Sequence, residues 1–255
     1  TGDDEPARFA TRILSERGVG AHLATDATRP TMFKIRYMVG HQKLLRVSRL
    51  EQASIPRAVE REVIARLGEL IPRADGLVVS DFVYGLVTPR VLEAALAAAR
   101  KAGIPVFGDL QCSSQVGSVL KFRGFDLICP NEREARIALS DNDSGLERLA
   151  RTLIRRAEVG ALVLTLGPQG FIAFDHRGRG LASESFPALE PNPVDVTGAG
   201  DALLSALAVA MSSGWPLMRA SALGACVAAL AVARLGNIPI TGAEVRDFGG
   251  RVAGH

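Results

Sequence analysis

Residues 195–201 read DVTGAGD and run directly into the small, apolar stretch ALLSALAVAMSSG, so two aspartates bracket two glycines at the mouth of a helix. Two readings fit. In the structural one, Asp195 ends a strand, Gly198 and Gly200 make a turn, and Asp201 favours the positive end of the helix, worth about 0.3–1 kcal/mol. In the chemical one, residues without side chains let backbone N–H groups approach an anion, most often phosphate, at that helix end. Asp201 is then a base beside the phosphate. A single GxG does not choose between them.

Two other clusters raise the same choice. In PNERE, Asn131 and Glu134 are three apart at the start of a helix and project from one side of its first turn. They make an ordinary capping box, or an amide and a carboxylate placed to hold the water shell of Mg²⁺, an ion that takes few protein ligands. In TLGPQG, Thr165, Gly167 and Gly170 occupy a turn between two apolar strands. Glycine there closes a hairpin, or it lets backbone and a small hydroxyl come close to the phosphates of a nucleotide.

Several other chemistries are excluded. The chain holds no GxxxxGK[ST] and no GxGxxG, so neither a P-loop nor a dinucleotide fingerprint is present. It has no GxSxG, and His22, His41, His176 and His255 have no evident nucleophile partner. Cys112, Cys129 and Cys226 stand far apart with no CxxC, which argues against disulfides and structural zinc.

The elements that must position these groups alternate. DDEPARFATRILSERG carries the start and stop signals of a helix ending at Gly18. PTMFKIRYMVGHQKLLRV alternates Phe33, Ile35, Tyr37 and Val39 against Lys34, Arg36 and Met38, turning near Gly40, which predicts two half-exposed strands forming a hairpin or lid at about 31–47. After Pro56 come helices marked by Val59, Val63, Ile64 and Leu67, by TPRVLEAALAAARKAG, NEREARIALS and GLERLARTLIRRAEVG. Between them stand the buried strands GLVVSD, IPVFGD, FDLICP and ALVLTLG. The fold class is therefore α/β, a mostly parallel sheet covered by helices on both faces, read as a single domain over 1–255. Ligands of such sheets bind beyond the carboxyl ends of the strands, where SDF, PNERE, TLGPQG and DVTGAGD all fall.

At 255 residues and 47% hydrophobic, the chain can bury a large core. A formal charge of +3, spread without blocks, and 5% aromatics argue against a nucleic-acid platform. SALGACVAALAVA, between Arg219 and Arg234, is shorter than the roughly 20 residues that cross a bilayer and reads as a buried helix. No charged segment followed by an apolar core opens the sequence, so the expectation is a cytoplasmic protein with no membrane partner.

The ordered set NxxE, TLGxxG and DxTGAGD resembles the ribokinase-like sugar kinases, the PfkB family, over nearly the whole chain from GDD at 2–4 to GNIPIT at 236–241. Within it, RPTMFKIRYMVGHQKLLRV, SDFVYG, CPNERE and VARLGNIPIT are most similar to the heptose-phosphate kinase domains of ADP-heptose synthases. The resemblance implies a three-layer fold with a small β lid, ATP and Mg²⁺ as cofactors, and a sugar or sugar phosphate as substrate. It implies Asp201 as the base, the backbone of Gly198, Ala199 and Gly200 as the anion hole, and Asn131 and Glu134 organising Mg²⁺ through water. Thr165, Gly167, Gly170 and Thr197 would line the nucleotide. Lys34, Arg36 and Arg46 would meet the phosphate already on the sugar, unless they are charges on the wet face of a lid. Asp109 would contact substrate, and the hairpin would pair two copies.

The pattern also departs from the family. Its members begin with an aspartate-bearing strand and a GGA segment that lie before the position of TGDD, so an amino-terminally truncated domain is expected. Part of the site then comes from elsewhere, or the protein binds nucleotide as a non-catalytic relative. GDLQCSSQ keeps Asp109 but places Leu110 and Gln111 where heptose kinases carry a lysine-containing DPK, and its small hydroxyls suit a different sugar.

Overall fold

The structure, a computed structural model, describes residues 1–39, 42–49, 53–111 and 117–253. The turn expected near Gly40 and the hydroxyl-rich CSSQ at 112–115 lie outside them. The chain divides into two compact units, Thr1–Arg73 with Val83–Ala102, and Ala74–Phe82 with Gly103–His255.

In the first unit, helix α1 (Glu5–Glu16) starts where its sequence signals place it. Asp4 Oδ1 accepts from the Ala7 N–H at 3.1 Å, and its Oδ2 accepts from the Thr31 N–H at 2.8 Å, tying the helix to the segment that enters the hairpin. Strands β1 (Phe33–Val39) and β2 (Gln42–Arg49) pair antiparallel with a register shift between Tyr37 and Met38. Their apolar residues are more open than the half-exposed strands expected, with Tyr37 50% and Val39 64% exposed. Helices α2 (Arg57–Leu70) and α3 (Pro89–Ala102) share a buried carboxylate, Glu60. It accepts from Thr88 Oγ1 at 2.6 Å and pairs with Arg57 at 2.9 Å and Arg90 at 3.4 Å, so the buried charge is compensated.

The second unit is built on a six-stranded sheet in the order β3-β4-β5-β6-β7-β8. The strands are β3 (Leu77–Asp81), β4 (Val106–Leu110), β5 (Leu127–Ile128), β6 (Ala161–Thr165), β7 (Phe171–Asp175) and β8 (Ala182–Phe186). The first four run parallel, and β7 and β8 return antiparallel. Helices α4 (Glu132–Leu139), α5 (Leu146–Ala157), α6 (Ala199–Ser212), α7 (Leu217–Val232) and α8 (Gly242–Ala253) complete it.

Both faces of the central strands β4, β5 and β6 are covered, as their continuous apolar runs require, whereas β3 at the sheet edge, expected to be buried, leaves Val78 45% exposed. Phe107, Leu127 and Val163 pack with Leu203 and Leu207 of α6 and Leu217 of α7. On the opposite face a Cβ on Gly108 would come within 2.9 Å of Phe125 and 3.0 Å of Phe122, so glycine admits both rings against the strand. The small residues of α6 and α7 serve close helix packing: a Cβ on Gly224 would lie 2.6 Å from Leu203 Cδ1. Among the described residues no helix is long and apolar enough to cross a membrane.

Three elements differ from the sequence reading. The strand expected at FDLICP shrinks to Leu127–Ile128, because Pro130 has no N–H to continue a ladder and Asn131 already caps α4. The isolated bridge Asn131↔Thr165 carries the pairing one step further. Strand β8 and helix α8 carry weak signals: ASESF buries only its Phe186, and GAEVRDFGGRVA is interrupted by glycines.

Candidate active site

Strand alternation sorts the polar groups at the carboxyl edge of the second unit. Ser80 pairs with Asp109 and Asp81 with Leu110, so Asp81 and Asp109 leave their strands on opposite faces. Asp81 is buried and forms an ion pair with Lys121. Asp109 shares its face with the α6 side of the sheet and is 9% exposed.

Asp109, Asp201 and Glu134 form an electrostatic cluster. Burial, then the charges of Glu134 and Asp201, push the Asp109 carboxyl up to about 7, against a hydrogen bond from Gln111 that lowers it. Burial also raises Asp201, opposed by the Gln111 amide, whose Nε2 donates to Asp201 Oδ1 at 2.8 Å. The buried Cys129 thiol is pushed up by burial and by Asp109. Carboxylates held this way take up protons closer to neutrality than free ones, which is the property a general base requires.

The start of α6 is open. Gly198 is its N-cap residue in the left-handed region at φ 82°, with no side-chain cap. A Cβ there would meet Asn237 Oδ1 at 2.3 Å, so both conformation and space demand glycine. Gly200 faces open space, with nothing within 4 Å of where a Cβ would stand. The Ala199 N–H reaches Val196 O at a long 3.4 Å, and among the described residues the N–H groups of Gly198, Gly200 and Asp201 meet no protein acceptor. Asp195 shapes the loop instead: its Oδ1 accepts from the Thr197 N–H at 2.9 Å and its Oδ2 from the Gly236 N–H at 3.0 Å.

The start of α4 is closed. Asn131 Oδ1 accepts from the Glu134 N–H at 2.9 Å, and Glu134 Oε2 accepts from the Asn131 N–H at 3.0 Å, a complete capping box. Beside it lies an open pocket of about 640 Å³ whose lining includes Asn131, Arg133, Arg136, Thr165 and Gly167, a volume suited to a nucleotide-sized ligand. Gly167 and Gly170 have φ of 59° and 89° in the turn joining β6 to β7, where the Leu166 N–H donates to Gly170 O at 2.8 Å. A Cβ on Gly170 would strike Phe186 O at 2.1 Å, so this glycine has a structural reason of its own.

The oxygen donors Asp109, Glu134 and the Asn131 amide suit a hard cation held through its water shell. Among the described residues no trio of His, Cys, Asp or Glu could grip a metal directly.

Asp109, Asn131, Glu134, Thr165, Gly167, Gly170, Thr197, Gly198, Ala199, Gly200 and Asp201 all belong to the second unit. Lys34, Arg36 and Arg46 belong to the hairpin of the first, where the Lys34 ammonium stands 5.3 Å from the Tyr84 ring centroid and the backbone of Arg36 is in register with that of Arg46. The sequence pattern assigns no role to Gln111, Asn237 or Lys121. Gln111 carries a usable signal: it lies two residues after Asp109, so strand alternation puts both on one face.

The sequence matches the pfkB family carbohydrate kinase profile over residues 1–241, and the chain belongs to that family of kinases. It is 32% identical over 249 residues to the bifunctional protein HldE of Pelobacter propionicus, covering 96% of this chain and 49% of that relative. The chain thus spans about half the length of the curated relatives it matches. Among solved structures, phosphofructokinase-2 from Escherichia coli in complex with potassium superposes with a TM-score of 0.78 at 15% identity, over 99% of this chain and 80% of that one. Ribokinase of Arabidopsis thaliana complexed with ribose and ATP gives 0.73 at 19% identity, over 97% and 79%. These likenesses establish a ribokinase-like fold.

Proposed function

We propose that this chain catalyses, in the cytoplasm, ATP-dependent phosphoryl transfer to a hydroxyl of a sugar or sugar phosphate, a heptose phosphate being the first candidate. The observation that carries this reading is the uncapped start of α6 with the half-buried Asp201 in its first turn. Asp201 takes the proton of the acceptor hydroxyl as that oxygen bonds to the γ-phosphorus. The bond from the γ-phosphorus to the β–γ bridging oxygen breaks, and its electron pair leaves with ADP. The N–H groups of Gly198, Ala199 and Gly200 face the charge on the transferred group, where fixed donors stabilise it.

Thr165, Gly167, Gly170 and Thr197 line the nucleotide in this reading, in keeping with the pocket beside Thr165 and Gly167. Asn131 and Glu134 would hold Mg²⁺ through water, and the ion, when bound, would neutralise phosphate charge; Asp109 would contact the substrate. Lys34, Arg36 and Arg46 receive the phosphate already on the sugar. The exposed apolar residues of the hairpin, among them Ile35 and Tyr37, fit pairing with a second copy, and a monomeric sedimentation profile would count against that.

The test is ADP release by the full-length protein with Mg·ATP over a panel of heptose, ribose and hexose phosphates. Turnover with one of them is expected. ATP binding without turnover on any member would instead identify a nucleotide-binding relative that does no chemistry.

A further inference from the structure

Asp201 is reached from the sheet by one neutral side chain. Gln111 follows β4 directly, its backbone N–H donating to Asp81 O at 2.9 Å, so its position is fixed by the end of the parallel ladder. From there its Nε2 donates to Asp201 Oδ1 at 2.8 Å, across 90 residues of sequence. Facing a carboxylate, the amide must present its NH₂ group, because its carbonyl would repel the acceptor. Among the described residues Asp201 Oδ2 has no protein partner, so the amide occupies one carboxylate oxygen and leaves the other for a ligand.

We infer that Gln111 is the positioning residue for Asp201, anchoring Oδ1 so that Oδ2 is the atom that receives the acceptor proton. The inference rests on Asp201 being the base. A neutral donor suits the task. A charged donor makes a hydrogen bond roughly twice as strong and would drain basicity from the carboxylate, whereas an absent donor would leave Asp201 free to rotate out of line. Position matters steeply here, since displacement of a reacting group by about 1 Å can cost 10²-fold in rate.

Four variants of the full-length protein test this with Mg·ATP and the sugar phosphate found to turn over. Gln111→Met keeps the length and removes the donor; kcat is expected to fall about 10–100-fold, with KM for both substrates within about twofold. Gln111→Glu, isosteric but adding a further carboxylate to the cluster of Asp109, Glu134 and Asp201, should fall further. Gln111→Lys restores a donor, but a charged one, so it should recover only part of the kcat lost in Gln111→Met and stay below the parent. Thermal unfolding and the Mg·ATP-induced shift in Tm confirm that each variant is folded. Full kcat in Gln111→Met, or a loss confined to KM or Tm, overturns the inference. Asp201→Asn separates the two levels. If it keeps full activity, the base assignment falls and this inference with it; if it is dead while Gln111→Met is unimpaired, only the positioning role falls.

Discussion

Helices α4 and α6 both begin at the carboxyl edge of one sheet, each after a short polar motif containing an acid in the first turn, and they satisfy their first N–H groups in opposite ways. At α4 the chain does so itself, through the reciprocal Asn131–Glu134 bonds. At α6 a left-handed glycine takes the cap position, no side chain among the described residues caps the helix, and the acid of the first turn is bonded to Gln111 at the end of strand β4. A side-chain cap is worth about 1 kcal/mol. Its omission at α6, where glycine is sterically required at 198 and Gly200 faces open space, leaves the first N–H groups of that helix without a side-chain partner among the described residues. The capping residues of α4 can reach a ligand only while also holding their helix.

The largest expected consequence of this difference is kinetic. Asp201→Asn should lower phosphoryl transfer about 10²–10⁴-fold while ATP affinity stays near that of the parent, measured by ADP release and by titration calorimetry. A comparable loss in Asn131→Ala with Asp201→Asn unaffected would reverse the roles of the two helix ends.

Next in size is the pH dependence of stability caused by Asp109. Its carboxyl is raised from 3.8 to about 7, chiefly by burial, so the folded state binds the proton more tightly than the unfolded chain. The stabilisation from the protonated form is complete below about pH 4 and is lost as pH rises through about 7. At about 1.4 kcal/mol for each tenfold change in proton affinity, this amounts to a few kcal/mol. Urea unfolding in metal-free buffer should show that decline, and Asp109→Asn should flatten it. An unchanged slope in the variant would remove Asp109 from the electrostatic cluster.

Gly198→Ala forces a side chain into the left-handed region and against Asn237. A loss of about 1–3 kcal/mol is expected by denaturant unfolding, with reduced transfer. Asn237→Ala in the same background should relieve the collision but not the backbone strain. Asn131→Ala should cost about 0.5–2 kcal/mol through the lost cap.

The smallest effect belongs to a third capping pair, Thr241 and Glu244 at the start of α8. Bonds from the Thr241 N–H and hydroxyl, then from Arg234, lower the Glu244 carboxyl to about 2. The stability it contributes is present above about pH 4.5 and is lost as pH falls towards 2. Glu244→Gln should weaken that acid dependence and leave transfer unchanged.

The features of this molecule legible in the sequence are those encoded by local spacing. The periodicity of α2, α3 and α5, the hairpin's alternation, the capping box in PNERE and the glycines of DVTGAGD each depend on residues a few positions apart. The apolar run of FDLICP overstates β5 because it continues into a proline that ends the ladder, and β8 leaves no such trace because an edge strand with polar faces has no apolar alternation to show. The bond from Gln111 to Asp201 and the seat that Asn237 provides under Gly198 join residues distant in sequence. Only the packing of α6 against β4 brings the first pair together, and strand alternation from Asp109 is the one local hint of it.

The role of the open helix end rests on where the transferred group binds, and a crystal structure of the full-length protein with ADP, Mg²⁺, aluminium fluoride and the sugar phosphate acceptor shows that most directly. The expected result is the fluoride group within about 3 Å of the N–H groups at Gly198, Ala199 or Gly200, with Asp201 Oδ2 directed at the acceptor hydroxyl. Fluoride bound away from the start of α6, or Asp201 turned from the acceptor, would contradict it.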